Sequence, residues 1–140
     1  MAAFYAYWES KHRGRRMPSR ADIDPVEMKS WLPGIVLVSV HRDPFRLVYR
    51  LVGERSVLMR RFNPTGKTVE EGYHGNSLAE VLENYRLVIE EKTPVYDWRG
   101  TPSWTGLVRE TGVLLLPLSA DGETVDMVLV YMEAEGNGKP

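Results

Sequence analysis

The sequence predicts an α+β domain in which a five-stranded antiparallel sheet carries helices on one face, with a further helix at the N-terminus. Three observations predict it. β-rich runs stand at residues 35–40 and 47–52, three more follow between residues 95 and 132, and an amphipathic helical stretch separates the two sets. At 140 residues and 43% hydrophobic, the chain forms one domain with enough apolar surface for its own core.

From the N-terminus, Phe4, Tyr7, Trp8 and Lys11 recur at helical spacing and Gly14 is placed to end that helix. Asp24 followed by Pro25 reads as an N-cap and first helical residue, with Val26, Met28, Trp31 and Leu32 as the apolar positions of a second short helix ending at Pro33-Gly34. Ile35 to Val40 and Leu47 to Val52 form a hairpin through the turn HRDPF. Residues 53–75 suit short helical turns and loops. Ser77 and Glu80 make a capping box, after which Leu78, Val81, Leu82, Tyr85, Val88 and Ile89 form one stripe that Pro94 stops. Val95 to Trp98 begins another strand, and GTPSWTG reads as a loop. The division expected is 1–24 for the N-terminal helix and a cationic linker, 25–134 for the core and 135–140 for a disordered tail.

The stretch TGVLLLPLSADGETVDMVLVYM, from Thr111 to Met132, carries the most information. Asp121 and Gly122 suit a two-residue type I′ turn, which places Leu118 opposite Val125, Leu116 opposite Met127 and Leu114 opposite Leu129. Val113, Leu115, Val128, Val130 and Met132 then share the other face, so the hairpin is apolar on both sides and must be covered twice. Pro117 falls opposite Asp126 with its missing N–H turned towards a third strand, which should end or bulge there.

Composition excludes several chemistries. The chain has no cysteine, which removes disulfides, Cys-based zinc sites, thiolate catalysis, flavin adducts and thioester-linked chromophores. A formal net charge of −1 gives no general attraction to nucleic acid or anionic membrane. The opening MAAFYAYWESKHR lacks a cationic leader and a long apolar run, so neither a signal peptide nor a membrane span is expected, and a cytoplasmic address follows.

Two strands, a helical middle and three strands is the element order of a PAS domain. The strings YWESKHRGRRMPSRADIDPVEM, YRLVGERSV, NPTGKT and LLLPLSADGETVDM, spanning Tyr7 to Met132, resemble the signature blocks of a stand-alone bacterial PAS family (PAS_5), once catalogued as a domain of unknown function. The resemblance implies a PAS fold and a role in signal transduction. It brings no agreed ligand or catalytic residue.

Candidate sites follow from that frame. GKT at Gly66 to Thr68 resembles part of a phosphate-binding loop, but Arg61 stands where that motif needs a glycine, so a structural turn is the better reading. His74 stands where haem-binding PAS domains present an axial ligand, yet a lone histidine ahead of a capping box reads as a loop residue; haem is not expected and the cofactor is unknown. His12 and His41 lack partners at metal-ligand spacing, so no metal site is expected. Lys11 to Arg20 hold five Lys or Arg in ten positions, a patch able to grip phosphate, but the acidic ADIDPVE follows at once and favours internal Arg to Asp pairing over nucleic-acid binding.

The expected ligand site lies between sheet and main helix, lined by Tyr49, Leu51, Tyr85, Trp98 and Met127, with a hydroxyl or indole as polar anchor. A homodimer is expected through Phe4, Tyr7 and Trp8 packing on Val128 and Val130. The functional expectation is a non-enzymatic sensor that binds an unidentified signalling protein and a small metabolite. The alternatives are a small cone-shaped α+β enzyme using Asp126 and Tyr49, and a nucleic-acid binder through residues 11–20.

Overall fold

In the computed structural model, residues 1–74, 77–102 and 108–134 are described; the tail 135–140 and Ser103 to Gly106 of the expected loop lie outside them. Helix α1 (Ala2–Ser10) opens the chain. Strands β1 (Ile35–His41) and β2 (Arg46–Val52) form the first hairpin. Helices α2 (Glu54–Arg60), α3 (Val69–Gly72) and α4 (Leu78–Glu91) occupy the middle. Strands β3 (Val95–Pro102), β4 (Val108–Leu118) and β5 (Met127–Ala134) complete an antiparallel sheet of order β2-β1-β5-β4-β3. β3 thus takes in Gly100 to Pro102, which the sequence assigns to a loop.

The end of β3 matches the sequence reading. Pairing of β3 with β4 stops at Val95 opposite Leu115, two residues short of Pro117. Pro117 therefore faces no third strand. Its carbonyl accepts the indole N–H of Trp8 at 3.1 Å, so the polar group left over at the strand end is satisfied from α1.

The β4–β5 turn departs from the two-residue reading. Leu118 pairs with Met127 and Pro117 with Val128, a shift of two positions from the expected register. The shift is even, so each β4 side chain keeps its expected face. Gly122 has φ +82°, but Asp121 is not among the residues with positive φ, which rules out a type I′ turn. Asp121 instead spends its carboxylate on the loop, accepting the N–H groups of Glu123 at 2.8 Å and Thr124 at 2.9 Å.

Each sheet face carries its own core. One contains Val36, Val38, Leu47, Tyr49, Leu115, Val128, Val130 and Met132 with Tyr85, Val88 and Ile89 of α4. The other contains Ile35, Leu37, Leu114, Leu116, Leu118, Leu129 and Tyr131 with Phe4 and Trp8 of α1. This reverses the expected assignment, because α1 covers the Leu114 face rather than the Val128 face. Phe4 stacks on Tyr131 at a centroid distance of 4.9 Å and meets Trp31 edge-on at 5.3 Å. Burying such a ring contributes about 1.5–3 kcal/mol.

The linker after α1 is tied back by charge. Asp22 pairs with Arg13 at 3.4 Å and with Arg15, and Lys11 pairs with Glu27 at 2.8 Å. The expected second helix is a chain of turns: the Asp24 side chain caps Val26 N–H at 2.9 Å, but the backbone bonds that follow mix three- and four-residue spacings. Pro25 and Pro33 leave too little chain between them for a stable helix. Among the described residues, no helix is long and apolar enough to cross a membrane.

Candidate functional site

The α4 side of the sheet is where polar groups enter the core. Tyr49 on β2 pairs with Val38 and is 1% exposed. Its backbone is clamped by the Gly66–Thr68 turn: Tyr49 N–H donates to Lys67 carbonyl at 3.0 Å, and Gly66 N–H donates to Tyr49 carbonyl at 2.8 Å. The GKT string is therefore a structural brace for β2. Gly72 stands against the Tyr49 ring, where an added Cβ would fall 3.0 Å from Cε2 and 2.6 Å from Pro64 Cβ.

Helix α2 brings Ser56 and Arg60 to the same place, one turn apart on one face. The Arg60 guanidinium donates from Nε to the Gly72 carbonyl at 2.7 Å, from Nη1 to Ser56 Oγ at 2.5 Å, and from Nη2 to the Tyr49 hydroxyl at 3.3 Å. It lies 5.3 Å from the Tyr49 ring centre. All these partners are neutral, and no carboxylate forms an ion pair with Arg60 among the described residues. Among the described residues, Nη2 makes one hydrogen bond, which leaves its second N–H without a partner there.

Tyr85 of α4 is the third member. It is buried, and its hydroxyl makes no hydrogen bond to the described residues. Burial pushes its hydroxyl far above the usual tyrosine value, with the neighbouring Tyr49 adding to the shift and Arg60 opposing it. Tyr49 is raised for the same first reason, held back by Arg60. Both phenols are neutral near pH 7 and act as hydrogen-bonding groups.

Of the five residues expected to line one pocket, the structure brings Tyr49 and Tyr85 together and separates the rest. The ladder slips between Val38 and Leu37, so Leu51 pairs with Leu37 and lands on the opposite face from Tyr49. A bulge at Arg50 breaks the alternation that sequence alone assumes. Leu51 is exposed. Met127 packs at the edge of the α1-side core, and Trp98 stands beside Gly112 with Tyr96 at the outer end of the sheet.

The expected dimer residues are also placed differently. Phe4, Trp8, Val128 and Val130 are buried within the chain, on two different sheet faces. Tyr7 ties α1 to the following turns, its hydroxyl donating to Glu27 at 2.7 Å and accepting from Asp24 N–H at 3.0 Å. Asp126 and Tyr49 do not meet either: Asp126 accepts Ala120 N–H at 2.7 Å in the β4–β5 loop, while the Tyr49 hydroxyl meets Arg60. Arg60 and Ser56 lay in the segment that sequence could not resolve; their one-turn spacing was the signal available.

Comparison with known proteins decides the family. Residues 1–132 match the family model PAS_5, described as a PAS domain. The chain belongs to that family. The PAS fold extends to solved structures at low identity. A Rhodobacter sphaeroides LOV protein aligns with a TM-score of 0.58 and 12% identity, over 83% of this chain and 70% of that one. The LOV domain of the Erythrobacter litoralis EL346 blue-light activated histidine kinase aligns with a TM-score of 0.56 and 12% identity, over 74% and 96%. VqmA from a Vibrio cholera ligand–DNA complex aligns with a TM-score of 0.61 and 16% identity; the PAS domain covers 78% of itself and 49% of that chain. No curated protein matches the sequence. At these identities the likeness concerns the fold.

Proposed function

We propose that this PAS domain is a non-enzymatic sensor that takes a small polar metabolite beneath α4, at Tyr49, Arg60 and Tyr85, and passes its state to a second protein by contact. The observation that carries the reading is the Arg60 guanidinium, whose bonds all go to neutral groups, set against the phenols of Tyr49 and Tyr85. A guanidinium without a carboxylate partner keeps the capacity to take a polar or anionic guest. Cysteine photochemistry is excluded, because the chain has no cysteine.

Homodimerisation remains part of the proposal, on a different surface. With Phe4 and Trp8 used inside the chain, a second copy is placed over Tyr96 and Trp98, which are 53% and 37% exposed at the β3 edge beside Tyr5 of α1. Native mass spectrometry of protein purified from its own host reads both features together. A bound mass in wild type that is absent from Tyr85→Phe supports the ligand site; an identical bound mass in both removes it. A monomer at tens of micromolar, on the order of working concentrations for weak interfaces, removes the dimer.

A further inference from the structure

An opening lies at the hairpin end of the α4 side of the sheet. The tip of the β1–β2 hairpin, α3 and α4 enclose a cleft of about 550 Å3, a size that suits a small molecule. Its floor is apolar, made by Leu47, Leu82 and Ile89, and Phe45 stands at its rim, 59% exposed.

The charges around it are not evenly spent. On the helix wall Arg86 holds Glu83 at 2.6 Å and Glu90 at 2.9 Å, one cation shared by two carboxylates. On the hairpin wall Arg42 and Arg46 line the same cleft but form no ion pair among the described residues. Their side-chain bonds go to backbone carbonyls, Arg42 to Val125 at 3.1 Å and Arg46 to Pro44 at 3.4 Å. Glu70 is the cleft carboxylate outside any ion pair among the described residues; the lining as a whole balances three arginines against three glutamates, but both arginines outside an ion pair stand on the hairpin wall.

We propose that this cleft binds a small aromatic carboxylate, its ring on Leu47, Leu82, Ile89 and Phe45 and its carboxylate on Arg42 and Arg46. A planar guanidinium pairs a carboxylate in two-point fashion, and such charge-assisted bonds are the strong ones. The exposed Phe45 ring offers a stacking face. Tyr49, Arg60 and Tyr85 do not line this cleft, although Leu47 and Ile89 share a core with the two tyrosines.

The test titrates naphthylacetate, naphthylethanol and naphthylethylamine into the isotopically labelled full chain, followed by amide resonances. The acid is expected to saturate, moving the amides of Leu47, Leu82 and Ile89, with the alcohol about tenfold weaker and the amine not bound. The double change Arg42→Gln with Arg46→Gln should cost the acid its advantage over the alcohol. Arg46→Gln alone, at an exposed position, should weaken the acid without disturbing the fold, and Glu70→Gln should not weaken it. Equal binding of all three probes, shifts centred on Tyr49 and Tyr85, or no saturation at millimolar acid would each overturn the proposal.

Discussion

On the α1 side of the sheet, Phe4 and Trp8 lie over Leu114, Leu116, Leu129 and Tyr131, and the Trp8 indole closes the carbonyl left at Pro117. On the α4 side, Tyr49, Ser56 and Arg60 enter the layer formed by Val38, Val88 and Leu115, with Tyr85 beside them. The first face has its buried polar groups matched and serves as structure. The second brings a guanidinium whose hydrogen-bond partners are all neutral against two phenols.

The largest expected effect tests the structural face. Phe4→Ala removes a fully buried ring wedged between Tyr131 and Trp31 and should cost about 3–5 kcal/mol in urea unfolding. A loss below about 1 kcal/mol would mean that α1 is not anchored on this sheet. Trp8→Phe comes next. It keeps an aromatic body but leaves the Pro117 carbonyl without its donor, a cost of about 1–3 kcal/mol.

The α4 side should respond in the opposite way. Tyr49→Phe removes one 3.3 Å bond while Arg60 keeps Gly72 and Ser56, so stability should fall by only about 0.5–1.5 kcal/mol. Any co-purifying ligand should be weakened at the same time. If Tyr49→Phe proved as costly as Phe4→Ala and left bound ligand unchanged, the contrast between the faces would fail.

α1, α4 and the strands were legible in the sequence because each has local causes: the aromatic spacing of α1, the stripe of α4, the β-rich runs, and Pro117 marking where β3 must stop; the short helices of residues 53–75 were not. The two apolar faces of the β4–β5 hairpin were legible as well, since alternation survives an even register shift. Which helix covers which face was not. Leu114 and Leu115 are equally apolar, and only packing with β1, where Leu37 and Val38 are again both apolar, decides between them. The site was half legible for a related reason. Tyr49 and Tyr85 follow from alternation and helical spacing, but Leu51 was misplaced by a bulge with no proline or glycine to announce it, and Arg60 lay in a helix too short to show a period.

The smallest effect belongs to the loop that joins β4 to β5 and sides with neither face. Asp121 is held by the N–H groups of Thr124 and Glu123 and by the Ser119 hydroxyl, which lower its carboxyl from the ordinary 3.8 to about 2. Because the folded value is the lower one, this contribution to stability is complete above the unfolded value near 3.8 and is lost as pH falls through about 2. Acid titration should therefore loosen this loop late, with the Glu123 and Thr124 amides gaining exchange only below the ordinary carboxylate range. Asp121→Asn keeps an acceptor oxygen but removes the titration, so those amides should lose this pH dependence while both cores stay intact. If the variant and wild type followed the same acid profile at these two amides, another group would control the loop, and the separation of the loop from the two faces would need to be redrawn.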